Sequence, residues 1–170
     1  NACVIIDDRP HFLTVNEILN ISTRHTVDLL KTELEIRKGE LAESWHFSSL
    51  EKIFIENRIY RDIEECETWE AVIEAIDLGL TPFKPSLHRQ VTTDDIVKLT
   101  EIKIKRISKF DAFKADEYIK GLEKEMSEVN HHLAHLIDYA IVYFQNLLKK
   151  YGNGKDRKTE IRTFDSIEVK

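Results

Sequence analysis

The feature that most constrains the fold is a heptad repeat of apolar residues in the C-terminal third of the chain. Alternating steps of three and four residues connect nine positions: Ile119, Leu122, Met126, Val129, Leu133, Leu136, Ala140, Tyr143 and Leu147. This a/d pattern is typical of a helix that packs lengthwise against another helix in a coiled coil. It predicts a returning arm helix over residues 112–152, which ends at the Gly152-Asn153-Gly154 sequence.

A second long helix is predicted over residues 22–61. This stretch has no proline and one glycine, and Val27, Leu30, Leu34 and Leu41 recur at heptad-like spacing. At ~1.5 Å per residue, such a helix is too long for a compact small domain and suits an outgoing arm. Because the two predicted helices are similar in length, we expect an antiparallel coiled-coil hairpin.

The two ends of the chain are predicted to lie at the base of this hairpin. Cys3–Ile6 is an apolar run of strand type, and the Asp-Asp-Arg-Pro sequence after it favours a turn, so a β hairpin is expected. Thr14 and Glu17 have the spacing of a capping box, which predicts a short helix that completes residues 1–21. Residues 153–170 are interpreted as a tail, formed by a strand or an extended segment.

Residues 62–111 predict a small helical globular tip. An amphipathic helix is expected over Glu65–Leu80, followed by a linker that contains two prolines. Asp94 and Asp95 favour a helix start after Thr92. The next segment, residues 96–110, is the most basic in the chain, with isoleucines between its lysines. It admits three interpretations: a patch that touches DNA, a homodimer surface, or a basic helix over a small core.

Net charge, cysteine spacing and the length of apolar runs limit the kinds of partner that the chain is expected to bind. The net charge is −6 and the pI is about 5.7, whereas a domain that grips duplex DNA by itself usually has a high pI. We therefore expect a protein–protein surface. The two cysteines fit no metal or redox spacing, and free thiols suit a reducing cytoplasm. No apolar run reaches the ~18 residues of a membrane helix, so no membrane association is expected.

Two weaker motifs favour structural interpretations. His131 and His135 lie one helical turn apart beside His132, which allows a metal site, but no H-E-x-x-H pattern accompanies them. Gly152–Lys155 faintly resembles a phosphate-binding loop, but it follows a helix and is better explained as a helix stop. The sequence presents no catalytic residues.

Four segments, in order, resemble the A subunits of DNA gyrase and topoisomerase IV, the bacterial type IIA DNA topoisomerases. They are NACVIIDDRPHFLTVNEIL at residues 1–19, Arg24-His25 with His46, LTEIKIKRISKFDAF at residues 99–113, and YGNGKDRKTEI at residues 151–161. The last contains the tail motif Arg157, Lys158, Thr159, Glu160 and Ile161. The chain departs from the family in lacking most of an arginine-rich stretch in the first arm and in a longer loop before Arg157.

The resemblance implies a mechanical role. The parent enzyme passes one duplex through an enzyme-linked double-strand break in another, and the second duplex leaves through an exit gate closed by two A subunits. The resemblance places the catalytic tyrosine before this segment, and Mg²⁺ and ATP with the parent complex and its B subunit. We therefore expect a non-catalytic exit-gate (C-gate) fragment of a bacterial cytoplasmic, nucleoid-associated enzyme, with no cofactor or metal of its own and little or no affinity for DNA.

The resemblance also predicts an isologous homodimer contact at the tip. Its candidate residues are Ile96, Leu99, Ile102, Lys103, Arg106, Ile107 and Phe110. The alternatives are a non-enzymatic coiled-coil tether, which leaves the family motifs unexplained, and a helical metalloprotein built on the three histidines.

Overall fold

The fold is mainly α-helical with one short antiparallel hairpin, which confirms the predicted fold class. The computed structural model describes residues 2–156, 158 and 159. Its contacts divide the chain into two compact units, one formed by residues 1–27 and 135–170 and the other by residues 28–134. No helix in the described part is long and apolar enough to cross a membrane.

The predicted β hairpin is present at the start of the chain. Strands β1 (Ala2–Ile6) and β2 (Arg9–Leu13) pair antiparallel, with Ile6 opposite Arg9. The two turn residues, Asp7 and Asp8, have φ of 49° and 60°. Positive φ at both central positions matches the right-handed twist of the strands and is typical of type I′ turns.

Helix α1 (Val15–Glu56) is continuous, although the sequence predicted a short helix up to residue 21 and a separate arm from residue 22. The Thr14 amide and hydroxyl each donate to a Glu17 carboxylate oxygen at 2.8 Å, which confirms the capping box. The polar stretch that suggested a break stays helical because its hydroxyls bond to the preceding turn. Thr23 Oγ1, for example, donates to the carbonyl of Leu19 at 2.8 Å.

The end of α1 also differs from its predicted position. The helix stops at Glu56 rather than residue 61, and Arg58 adopts a left-handed conformation with φ 57°. A short 3₁₀ helix, Ile59–Arg61, follows. The left-handed residue redirects the chain, which lets Ile59 reach the hydrophobic core.

The returning arm is divided into α5 (Ala112–Ala134) and α6 (Leu136–Tyr151). The prediction was one helix over residues 112–152. His135 interrupts it with φ −123° and ψ 48°, outside the helical region. Neither proline nor glycine marks this position, and nothing in the local sequence explains the break.

Within residues 28–134, α1 and α5 run antiparallel. Arg37 Nη2 donates to Glu125 at 2.8 Å, Trp45 Nε1 donates to Glu123 at 3.0 Å, and Lys52 pairs with Asp116. The partners on α5 come in reverse order. Of the predicted seam, Leu122, Val129 and Ala140 are buried, Tyr143 is exposed, and the others are half-buried: Ile119, Met126, Leu133, Leu136 and Leu147. Coiled-coil packing along the whole seam stays a prediction.

The tip is a set of short helices around one hydrophobic core. The helices are α2 (Trp69–Leu80), α3 (Thr93–Thr100) and α4 (Ile104–Ser108), with a 3₁₀ helix at Thr81–Ser86. The core joins the end of α1 to these elements through Leu50, Phe54, Ile55, Ile59, Ile76, Leu80, Ile96 and Leu99. The tip therefore has a core of its own and does not depend on a second chain to bury it.

Candidate functional site

Two of the predicted dimer contacts lie in the core instead. Ile96 and Leu99 are only 3% and 1% exposed, and they pack in the cluster that contains Leu50 and Phe54. A side chain enclosed by its own chain cannot contact a second copy unless the tip unfolds. This corrects the candidate contact set: both residues anchor α3.

The other five candidates lie at the edge of the core or outside it. Ile102, Ile107 and Phe110 are half-buried against the core, whereas Lys103 and Arg106 are exposed. Residues 101–103 separate α3 from α4, so the stripe predicted over residues 96–110 is divided. Whether these five residues contact a second copy stays a prediction.

A groove of about 940 Å³ opens between these edge residues and the long helices. Its apolar lining comes from Phe47 on α1, Ile102 and Phe110 around α4, and Tyr118 on α5. This volume is in the range of pockets that hold ligands or protruding side chains. We call this feature the basic groove because lysines surround it.

Four lysines of the basic groove have no ion-pair partner within the described residues. They are Lys98, Lys103, Lys105 and Lys109. Cations gathered at one site with no internal partner leave a positive field for an external anionic group.

The carboxylates of the groove do not cancel this charge. The buried Glu51 receives a hydrogen bond from Arg106 Nη2 at 2.6 Å, which keeps the pKa of that guanidinium raised. Asp111 accepts from the backbone amides of Phe113 and Lys114 at 3.1 and 3.3 Å, at the start of α5. Glu101 is exposed and balances one lysine at most, so the groove keeps a net positive charge.

The seven candidate contacts predicted from the sequence leave out two exposed apolar residues next to this groove. Ile104 is 83% exposed and Phe113 is 70% exposed, and residues adjacent to each of them in sequence line the groove. Exposed apolar side chains beside a groove are a mark of contact surfaces. The exposure of Ile104 could have been predicted from the sequence, because this residue lies off the apolar stripe formed by Ile96, Leu99 and Ile102.

A buried polar network fixes the other end of α3 to α1. Asp95, 2% exposed, accepts from Arg89 Nη1 at 2.6 Å and Nη2 at 2.9 Å, and from the amide and hydroxyl of Thr92 at 2.9 Å. The Thr92 contacts form the capping box of α3. Arg89 also donates to Glu43 on α1 at 2.8 and 2.9 Å. Arg89 thus connects two elements that are distant in sequence.

Two α1 aromatic side chains complete this connection. His46, 1% exposed, places Nε2 3.4 Å from Asp95 Oδ2, and its Nδ1 has no hydrogen-bond partner among the described residues. The rings of Trp45 and His88 stack with centroids 3.7 Å apart. The sequence singled out His46 as a family position, but not its partners.

The network shifts the pKa values of its members in definite directions. Burial, and then the nearby Arg89 cation, lower the pKa of His46. Burial of the Asp95 carboxyl would raise its pKa, but the hydrogen bonds from Arg89 and Thr92 outweigh that effect and hold it well below its usual range. Asp95 is therefore ionised and His46 neutral at pH 7.

Acidification is expected to destabilise the tip through His46. Because its pKa is lower in the folded chain than the ordinary value of 6.5, the unfolded chain binds the proton first. Stability is then fully present above pH ~6.5 and falls below it, by at most about 1.4 kcal/mol per pH unit for one proton. The measurement is the free energy of unfolding between pH 7.5 and 5.5, compared with a His46→Gln variant. Equal slopes for the two proteins would contradict this assignment.

The histidine cluster and the tail motif are the remaining features that the sequence singled out. Among the described residues, no group of three or more His, Cys, Asp or Glu side chains could hold a metal ion, and this includes His131, His132 and His135. Lys158 and Thr159 of the tail motif are exposed without regular secondary structure, and the other three motif residues, Arg157, Glu160 and Ile161, lie outside the described residues.

Comparison with known proteins identifies the family. Residues 1–145 match the family model of the DNA gyrase/topoisomerase IV A subunit. The chain belongs to this family. It is also 32% identical over 170 residues to the A subunit of DNA topoisomerase 4 from Borreliella burgdorferi, a match that covers 100% of this chain and 27% of that protein.

Membership of the gyrase/topoisomerase IV A-subunit family agrees with the segments that carried the resemblance. The segment of residues 99–113 runs from the core through α4 to α5 and contributes most of the basic groove. His46 lies buried against Asp95. The chain spans about a quarter of the length of this relative.

Proposed function

We propose that residues 28–134 form the exit-gate (C-gate) contact of a type IIA DNA topoisomerase A subunit. In this proposal two copies meet at their tips and close the gate, and they separate when a transported duplex leaves. The carrying observation is the pair of exposed apolar residues, Ile104 and Phe113, beside a basic groove on a tip with its own core.

The internal hydrophobic core of the tip supports the proposal of a reversible contact. Gate opening requires each tip to stay folded when separated, and the core residues Leu50, Ile76 and Leu99 are all at most 1% exposed in a single chain. An interface that opens in each cycle is expected to be modest in size and more polar than a core. A few apolar residues with charged neighbours meet that description.

The rest of the proposed function belongs to the whole enzyme. The parent would be an ATP-hydrolysing bacterial topoisomerase in the cytoplasm, associated with the nucleoid, working with a B subunit, Mg²⁺ and duplex DNA. This region would transmit the gate motion and take no part in strand cleavage. The net charge of −6 would help a transported duplex leave, since DNA is itself strongly anionic.

Light scattering across a concentration series tests the gate contact. We expect the chain to dimerise reversibly, and we expect Ile104→Asp with Phe113→Asp to weaken association by about tenfold or more, equivalent to at least about 1.4 kcal/mol. A charge at these exposed positions interrupts the contact without entering the core. Circular dichroism should show unchanged helix content.

Ile36→Asp is the matched control, because Ile36 is 60% exposed on α1 and lies away from the groove lining. Its dimerisation should equal that of the unmodified chain. If the control weakens association as much as the tip variants do, the contact lies along the arm, which favours a coiled-coil tether. A chain that remains monomeric at every concentration would contradict a gate formed by this region alone.

A further inference from the structure

We infer that the basic groove of each copy receives an acidic segment, residues 62–70, from the other copy. The contact would be reciprocal: groove to segment and segment to groove about one two-fold axis. This inference rests on the proposed gate function and specifies the surfaces that close the gate.

The acidic segment has the properties that the groove requires. It holds five carboxylates in nine residues: Asp62, Glu64, Glu65, Glu67 and Glu70. None of them forms an ion pair within the described residues, and the segment links the 3₁₀ helix at Ile59–Arg61 to α2. Glu64, Glu65 and Glu67 are exposed. The same unit of the chain therefore presents unpaired cations in one place and unpaired carboxylates in another.

Both surfaces also contain exposed apolar groups. Trp69, which lies within the acidic segment at the start of α2, is 53% exposed. The groove offers Phe47, Phe110 and Tyr118 as an aromatic lining, with Ile104 and Phe113 nearby. A large aromatic side chain that enters a lined pocket, surrounded by complementary charges, is the usual arrangement at the centre of a protein interface.

These apolar groups favour a second copy over a nucleic acid as the occupant. A phosphate backbone would satisfy the lysines, but it would leave Ile104 and Trp69 in water. The acidic segment of another copy supplies charge and apolar surface together. The exposed carboxylate of Glu101 also lies among the cations of the groove. It would repel a long polyanion such as DNA more than it would repel a short peptide segment.

A charge-exchange experiment tests the reciprocal contact. The groove variant carries Lys103→Glu, Lys105→Glu and Lys109→Glu, and the segment variant carries Glu64→Lys, Glu65→Lys and Glu67→Lys. All six positions are exposed, so folding should be preserved. In the groove variant both contact surfaces are acidic, and in the segment variant both are basic. Each alone should therefore dimerise at least about tenfold more weakly than the unmodified chain.

Mixing the two variants should restore association. In the mixed dimer, each acidic surface faces a basic one, so its Kd should return to within about threefold of the unmodified value. Association of the unmodified chain should also weaken as salt rises from about 50 to about 500 mM, since salt screens exposed charges. The control variant, Lys38→Glu with Lys120→Glu and Lys124→Glu, changes the same charge outside the groove and should dimerise normally.

The possible results of these experiments distinguish failure of the reciprocal contact from failure of the proposed gate function. If the unmodified chain dimerises and loses the dimer with Ile104→Asp and Phe113→Asp, but the mixed variants do not associate, the gate stands and the reciprocal contact is overturned. If the groove variant dimerises normally but loses affinity for a short DNA duplex, the groove is a nucleic-acid site and the inference is overturned. A chain that never dimerises overturns both.

Discussion

Replacing Leu99 with alanine is expected to lower the free energy of unfolding by about 2–5 kcal/mol, the range for deleting a large aliphatic side chain from a packed core. Leu99 is 1% exposed and belongs to the cluster that joins α1, α2 and α3. Its loss would leave a cavity that these elements cannot fill without moving. Urea denaturation followed by circular dichroism measures the change.

Ile104→Ala is the matched control for this prediction. Ile104 is 83% exposed and lies five residues further along the same basic segment. Surface substitutions of this kind usually change stability by no more than about 0.5 kcal/mol. If Leu99→Ala left stability unchanged and instead abolished dimerisation, Leu99 would be a contact residue, as the sequence pattern suggests, and its place in the core would be wrong.

Replacing Asp95 with asparagine is expected to cost about 3 kcal/mol, at the lower end of the range for removing one partner of a buried ion pair. The lower end applies because the Arg89 side chain is 34% exposed and can turn toward water. Asp95 accepts hydrogen bonds at both carboxylate oxygens, from Arg89 at 2.6 and 2.9 Å and from Thr92 at 2.9 Å. An asparagine amide nitrogen at either position would face a donor. Urea denaturation of both proteins at pH 7 measures the difference.

Asp94→Asn is the control, since Asp94 is the exposed neighbour in the same helical turn. It should change stability by less than about 0.5 kcal/mol. The Asp95 contribution should also vanish in acid, because a carboxylate with a lowered pKa stabilises the fold only while it stays ionised. Comparable losses in both variants would show that the charge near the start of α3 matters and the specific network does not.

Under the proposed gate function, two tips could separate without unfolding. The core around Leu99 and the network around Asp95 hold α3 and α1 together within a single chain. The exposed residues Ile104 and Phe113 are separate from both. A tip built in this way keeps its stability inside each copy, so the proposed contact between copies could be weak enough to break reversibly.

Features that depend on neighbours only a few residues away can be read directly from the amino-acid sequence. The β hairpin follows from the Asp7-Asp8 turn, and the starts of α1 and α3 follow from Thr14 with Glu17 and Thr92 with Asp95, each pair three residues apart. Apolar periodicity indicated the mainly helical class, and the order of short motifs along the chain indicated the family that the comparison established.

Packing between distant elements, in contrast, divides the apolar residues of one segment into buried and exposed ones. Ile96, Leu99, Ile102 and Ile104 all belong to one basic, apolar segment of the sequence, but packing against α1 and the interruption at residues 101–103 bury the first two and expose the last. His46 and Asp95 meet across 49 residues of sequence. Such pairings depend on how distant elements pack against each other, and this packing cannot be read from a local sequence pattern.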